Sequence, residues 1–161
     1  MVDNLIAQGE KVVVFTTFKE VVKILGGLLK QYNPYLITGD NKVAYVDDAT
    51  DEFQKNPNKK LLIATQQKLG TGVTLNAARY LIFVDCPWTD FEYSQATDRV
   101  HRIGSKEPVF IYNLICPNTI DEAIAKAINK RRELSQYVDD RIQSENYNDG
   151  ELEILQGILG S

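Results

Sequence analysis

Val12 to Phe15 form an unbroken β-branched and aromatic run, and it restricts this chain more than any other stretch. A strand with apolar side chains on both faces has no side to give to water. It belongs inside a parallel sheet that is covered above and below by helices. Further short apolar runs follow at Tyr35 to Thr38, Leu61 to Ala64, Tyr80 to Val84 and Val109 to Leu114. Helical stretches come between and around them. These are a stub from Val2 to Gln8 closed by Gly9, then about Glu20 to Gln31, Val43 to Gln54, and a last one from Ile120. Strands alternating with helices along the whole length predict an α/β three-layer sandwich with a mainly parallel sheet. Residues 1–139 are expected to form this domain, and 140–161 a polar tail in which Leu152 to Leu159 make one short docking helix.

Composition bounds the rest. With 161 residues, 43% of them hydrophobic and 25% charged, the chain suits one globular domain and leaves no room for a second. A formal charge of -4 argues against a broad nucleic-acid-coating surface, while leaving room for a local basic groove. Cys86 and Cys116 are the two cysteines, with one histidine and no CxxC pair. The expectation is therefore no metal site, no disulfide framework, and a reducing cytoplasmic or nuclear compartment. No apolar run approaches the length of a membrane span and Met1 opens no signal-peptide pattern, so a soluble protein is expected.

The chemistry concentrates in QATDRVHRIG, Gln95 to Gly104. Arg99 and Arg102 stand three apart, on one face if this stretch is helical, where two fork-shaped cations suit a phosphate. Asp98 is placed to orient one of them. A solvated charged helix with one surface ion pair accounts for the same spacing. Gly70 and Gly72 are expected in a turn that opens a helix near Val73, where freed amides make an anion-binding concavity. Glycines that merely turn the chain are commoner. Thr16, Thr17 and Lys19 follow the first strand, Thr65 and Gln66 the third. Ligands of open α/β sheets bind at such carboxyl ends, although Thr17 serves equally as a helix cap. Asp85, after the fourth strand, either caps its loop or holds an arginine, and Trp88 reads as core or partial core. No GxxxxGK[ST] occurs, so no P-loop is present. An arginine pair without a primary nucleotide cradle reads as half of a composite site.

The order of strand, GxGxxL, strand, DxPW and QAxDRxHRIG resembles the second RecA-like lobe of the Swi/Snf-type ATPases of helicase superfamily two. The resemblance runs from about Gly9, at GEKVVVF, to Asp139. It implies the C-terminal motor lobe of a DNA-dependent ATPase, RecA-like but without a P-loop. Its partners would be double-stranded DNA, an N-terminal RecA-like lobe of the same polypeptide and a remodelled protein. ATP with Mg2+ would be held mainly by that other lobe. Arg102 and Arg99 then match the motif's arginines, with Arg102 as the finger on the γ-phosphate, and Gln95 its glutamine. Gly70 and Gly72 match the glycine motif that faces the lobe interface. Thr65 and Gln66 match a pair that contacts the DNA backbone, and Thr16 or Thr17 an earlier one, with Lys19 beside them. The chain departs from the family pattern at Leu69, Thr74, Thr89, Asp90, Ser105 and Val46, which bears on the DNA contacts more than on the arginines.

Two other readings compete. A RecA-like lobe can serve as a non-catalytic DNA- or protein-binding module. An α/β cofactor enzyme built on Gly70-Thr71-Gly72 would need GxGxxG soon after the first strand and an acidic residue on the next, and neither is there. In the last third, Thr119 and Glu122 fit a capping box. Ile120, Ile124 and Ile128, with Ala123 and Ala127, form one apolar stripe. Lys126, Lys130, Arg131 and Arg132 then fall on or near the opposite face, either solvated, tracking phosphates or bracing the other lobe.

Overall fold

At the centre of a five-stranded sheet, ordered β2-β3-β1-β4-β5, lies β1, Val12–Thr16. The computed structural model describes residues 1–69, 73–85, 87, 89–100 and 108–143. Its other strands are β2 (Tyr35–Ile37), β3 (Leu61–Thr65), β4 (Tyr80–Phe83) and β5 (Phe110–Asn113). Every pairing is parallel, with Val12 opposite both Leu61 and Tyr80. Val12, Val13 and Phe15 are 0% exposed, as the two-sided apolar run requires.

The helices are α1 (Val2–Ala7), α2 (Lys19–Leu28), α3 (Val43–Lys55), α4 (Asp90–Val100) and α5 (Ile120–Gln143). Odd and even positions of β1 send their side chains to opposite layers. Val12 and Val14 pack with Leu5 of α1 and Val22 of α2. Val13 and Phe15 pack with Phe53 of α3 and Tyr93 and Ala96 of α4. This is the expected sandwich. Lys11 ties its near end to α3, donating its ammonium to the carbonyls of Phe53 and Asn56 at that helix's C-terminus.

Three expectations meet a different outcome. No helix opens at Val73, because residues 73–79 run as coil and a turn. Their amides are engaged elsewhere: Leu75 N–H donates to the Arg99 carbonyl at 2.7 Å, and Ala77 N–H to Gln54 Oε1 at 2.8 Å. Leu75 and Ala78 meanwhile pin the segment into the core. The apolar stripe of α5 is only partly used, for Ile128 is buried while Ile120 is 65% exposed. The helix itself runs to Gln143. The capping box is shifted by one residue: Thr119 Oγ1 accepts from Asp121 N–H, and the Glu122 carboxylate from Asn118 N–H at 3.0 Å. Leu152 to Leu159 lie outside the described residues.

At the sheet edge Tyr80 stacks on Phe110 of β5 with ring centroids 5.2 Å apart, and Tyr112 follows at 6.4 Å. On the other flank, α2 approaches β2 closely. A Cβ on Gly26 would lie 2.5 Å from Leu36 Cδ1, whereas one on Gly27 would meet nothing within 4 Å. Gly27→Ala should therefore stabilise the fold by about 0.5–1 kcal/mol through helix propensity alone. Gly26→Ala should give back that gain in displacing Leu36. Urea unfolding of both variants checks this, and equal midpoints would contradict the close approach.

Candidate functional site

The chain leaves β1 toward β2 along one face of the sheet and leaves β4 toward β5 along the other, so the carboxyl ends of these neighbouring strands flank a topological switch point. The Asp85 carboxylate sits there and accepts the Thr17 N–H at 2.7 and 3.1 Å. Of the two roles open to Asp85, the structure gives it the loop-capping one. Thr17 is not the cap of α2, which begins after Phe18 with no side-chain cap. Lys19, on the first turn of α2, pairs with Asp40 at 3.4 Å while both side chains are more than half exposed. A pair so wet contributes about 0–1 kcal/mol and yields readily to another anion.

Register places Thr16 beside Thr65, and Gln66 N–H continues the ladder to the Thr16 carbonyl at 3.2 Å. Thr16, named with Thr17 as an expected DNA-backbone contact, is enclosed at the end of its strand. Its side chain is 0% exposed and its hydroxyl accepts the Phe18 N–H at 3.2 Å. Thr65 is buried too, at 7% exposed. Both complete the two-sided burial of their strands instead of ending it. Thr17 is half-buried, and Lys19 is exposed.

In α4, Tyr93, Ala96 and Val100 recur at helical spacing and pack into the core. Arg99, three positions after Ala96, goes down with that side and is 6% exposed, so its guanidinium is not held out. Burial lowers its pKa, and the neighbouring Asp98 offsets this in part. Phe91 and Gln95 lie half a turn out of phase, on the outer side of α4. Phe91 is 72% exposed. Gln95 on α4 and Gln66 just after β3, with β4 between those elements in the chain, meet in one cavity of ≈ 370 Å³ that Gln67, Phe91 and Glu92 also line. At its wall Gln66 is 9% exposed, and its Nε2 has no hydrogen-bond partner among the described residues.

Sequence reasoning missed Phe91, Gln67 and Glu92. The available signal was Phe91 itself, an apolar residue on the outer face of an otherwise regular amphipathic helix. Arg102, Gly70, Gly72, Cys86 and Trp88 lie outside the described residues. Among the described residues, no three His, Cys, Asp or Glu gather as a metal site, and no helix is long and apolar enough to cross a membrane.

Residues 1–104 match the family described as the helicase conserved C-terminal domain. Among curated proteins the chain is similar to the ATP-dependent helicase fft1 of Schizosaccharomyces pombe, 32% identical over 76% of this chain and 13% of that protein. Among solved structures it is similar to the Sulfolobus solfataricus SWI2/SNF2 ATPase core in complex with dsDNA. That likeness is 32% identical at a TM-score of 0.65, covering 83% of this chain and 28% of the other. The C-terminal part of the Fun30 ATPase domain matches at a TM-score of 0.67 and 28% identity, over 76% and 40% of the two chains. The chain therefore spans well under half the length of each of these three.

Asp85→Ala leaves the part-buried Thr17 amide without its charged acceptor and should cost about 1–3 kcal/mol. Asp85→Asn keeps an acceptor oxygen and should lose less. Urea unfolding, together with hydrogen exchange at the Thr17 amide, measures both. Unchanged exchange in Asp85→Ala would contradict the capping role.

Proposed function

This chain belongs to the helicase conserved C-terminal domain family, among relatives of the Swi/Snf type, and on that premise we propose that it is the C-terminal motor lobe of a DNA-dependent ATPase. One observation carries the reading. The carboxyl edge of the sheet gathers Thr17, Lys19, Gln66 and Gln95 from distant parts of the sequence, next to the segment that leads into HRIG. The sequence contains no P-loop, so the ATP and Mg2+ of the reaction belong mainly to an N-terminal lobe of the same polypeptide. That lobe and this one close on each other over the nucleotide.

In this division of labour Arg102 brings a permanent cation to the γ-phosphate, where charge accumulates during transfer. Arg99, already desolvated by α4, acts beside it, and Gln95 orders the facing surface. Gly70 and Gly72 shape the lobe interface. Double-stranded DNA runs across the same edge. Lys19 exchanges Asp40 for a phosphate, Thr17 and Gln66 contribute polar contacts, and Thr65 supports them from beneath. The output is translocation on duplex DNA and the remodelling of a bound protein, in a cytoplasmic or nuclear setting.

A second reading, a RecA-like lobe that binds DNA or protein without joining in hydrolysis, is favoured by the burial of Arg99. The residues encoded upstream separate the two, because the motor reading requires a P-loop and an acidic DExx box there.

Purified as 161 residues, the chain should hydrolyse no ATP. In the full-length protein, Arg102→Ala should lower DNA-stimulated kcat by about 10³-fold or more with little change in ATP binding. Turnover by the 161-residue chain that Arg102→Ala abolishes would be incompatible with a shared site.

A further inference from the structure

We propose that Gln54 is a positioning residue for the ATPase reaction: it holds the coil of residues 73–79 where the Leu75 amide meets the end of α4, and so sets the approach to Arg102. The proposal deepens the motor reading, and its kinetic arm alone rests on that reading.

Gln54 stands on a fixed base. It is the last residue but one of α3. Phe53 before it is buried in the core, and the Lys11 ammonium takes up the carbonyls of Phe53 and Asn56 on either side. Its amide reaches across to two consecutive residues of the coil. Ala77 N–H donates to Oε1 at 2.8 Å, and Nε2 donates to the Asn76 side-chain oxygen. A main-chain N–H only donates, so the bond to Ala77 fixes which end of the amide faces the chain and leaves the NH2 end to Asn76. Asn76 and Ala77 form the tip of a turn that Ala78 N–H closes onto the Leu75 carbonyl at 3.0 Å. Leu75 and Ala78, at its two ends, are drawn into the core. Packing thus holds the ends of this turn and one glutamine holds its tip.

From the same turn, Leu75 N–H donates to the Arg99 carbonyl at 2.7 Å. The helix ends at Val100, and Arg102 follows two residues later, which keeps its Cα within about 8 Å of that end. A shift of the turn therefore reaches Arg102 through one main-chain bond and the end of a helix. Gln54 touches no reacting atom in this scheme and acts only through Ala77, Leu75 and α4. An error of about 1 Å in a reacting group can cost about 10²-fold in rate, so loosening one of several ties should cost about tenfold.

The test has two arms. In the 161-residue chain, amide exchange followed residue by residue by NMR reads the turn directly. Gln54→Leu removes both bonds at similar size, and should speed exchange about tenfold at Ala77 and also at Leu75, whose own acceptor is untouched. In the full-length protein, Gln54→Leu should lower DNA-stimulated kcat about tenfold with the KM for ATP unchanged. Gln54→Glu keeps an acceptor for Ala77 and lets the Asn76 amide turn to donate, and Asn76→Asp keeps an acceptor for Gln54. Each of these single changes should stay near the parent, whereas the double variant sets two carboxylates against each other and should resemble Gln54→Leu. Leu5→Ala, in the opposite layer, should lower the urea midpoint at least as far as Gln54→Leu and leave kcat unchanged.

Faster exchange at Ala77 with none at Leu75 would make the glutamine a local tie and overturn the proposal. So would an unchanged kcat in Gln54→Leu, a kcat loss matched by Leu5→Ala, or a double variant no worse than its singles. A full-length parent without DNA-stimulated turnover counts against the motor reading instead. Exchange at Leu75 then decides by itself whether Gln54 sets the end of α4.

Discussion

The two-sided burial of β1 is the constraint on which the rest of this lobe depends. Its valines and phenylalanine admit no water from either layer, so strands must flank it on both edges and helices must cover both faces. Once that is required, parallel pairing follows from the helical crossovers, and all five carboxyl ends come to one edge. Thr17, Asp85 and Gln66 are delivered to that edge by a demand made in the interior.

The interior also decides which polar residues are left for binding. Thr65 was expected with Gln66 as a backbone-contacting pair and Thr16 or Thr17 as an earlier contact, and the strands of Thr16 and Thr65 stay buried to the last residue and take both hydroxyl-bearing side chains with them. Leu69, where the family pattern has a glycine, is 0% exposed and adds to the core beneath the loop. Val46, where that pattern often carries an arginine, packs into the same cluster at 4% exposed. These departures replace surface chemistry with packing. Of the polar residues after β1, Thr17 and Lys19 keep access to solvent.

The fold was largely readable from the sequence, because period and composition act locally. The strands fell within a residue or so of their expected positions, and the helices α2 and α3 nearly so. What escaped was set by tertiary partners. The helix expected at Val73 is absent because Leu75 and Ala77 give their amides to α4 and α3. Arg99 packs into the core, and its place in a short motif does not say which side of α4 the interior claims. The cavity drew on Gln66 and Phe91, residues 25 positions apart whose meeting no short motif records.

The bond from Leu75 N–H to the Arg99 carbonyl has a mechanical consequence. It fastens the coil of residues 73–79 to the final turn of α4, so the two cannot slide independently without breaking a 2.7 Å strut between main chains. A tug on either arm is transmitted to the other as rigid displacement rather than absorbed by side-chain slack. Leu75 and the last turn of α4 therefore keep their spacing for as long as that bond holds.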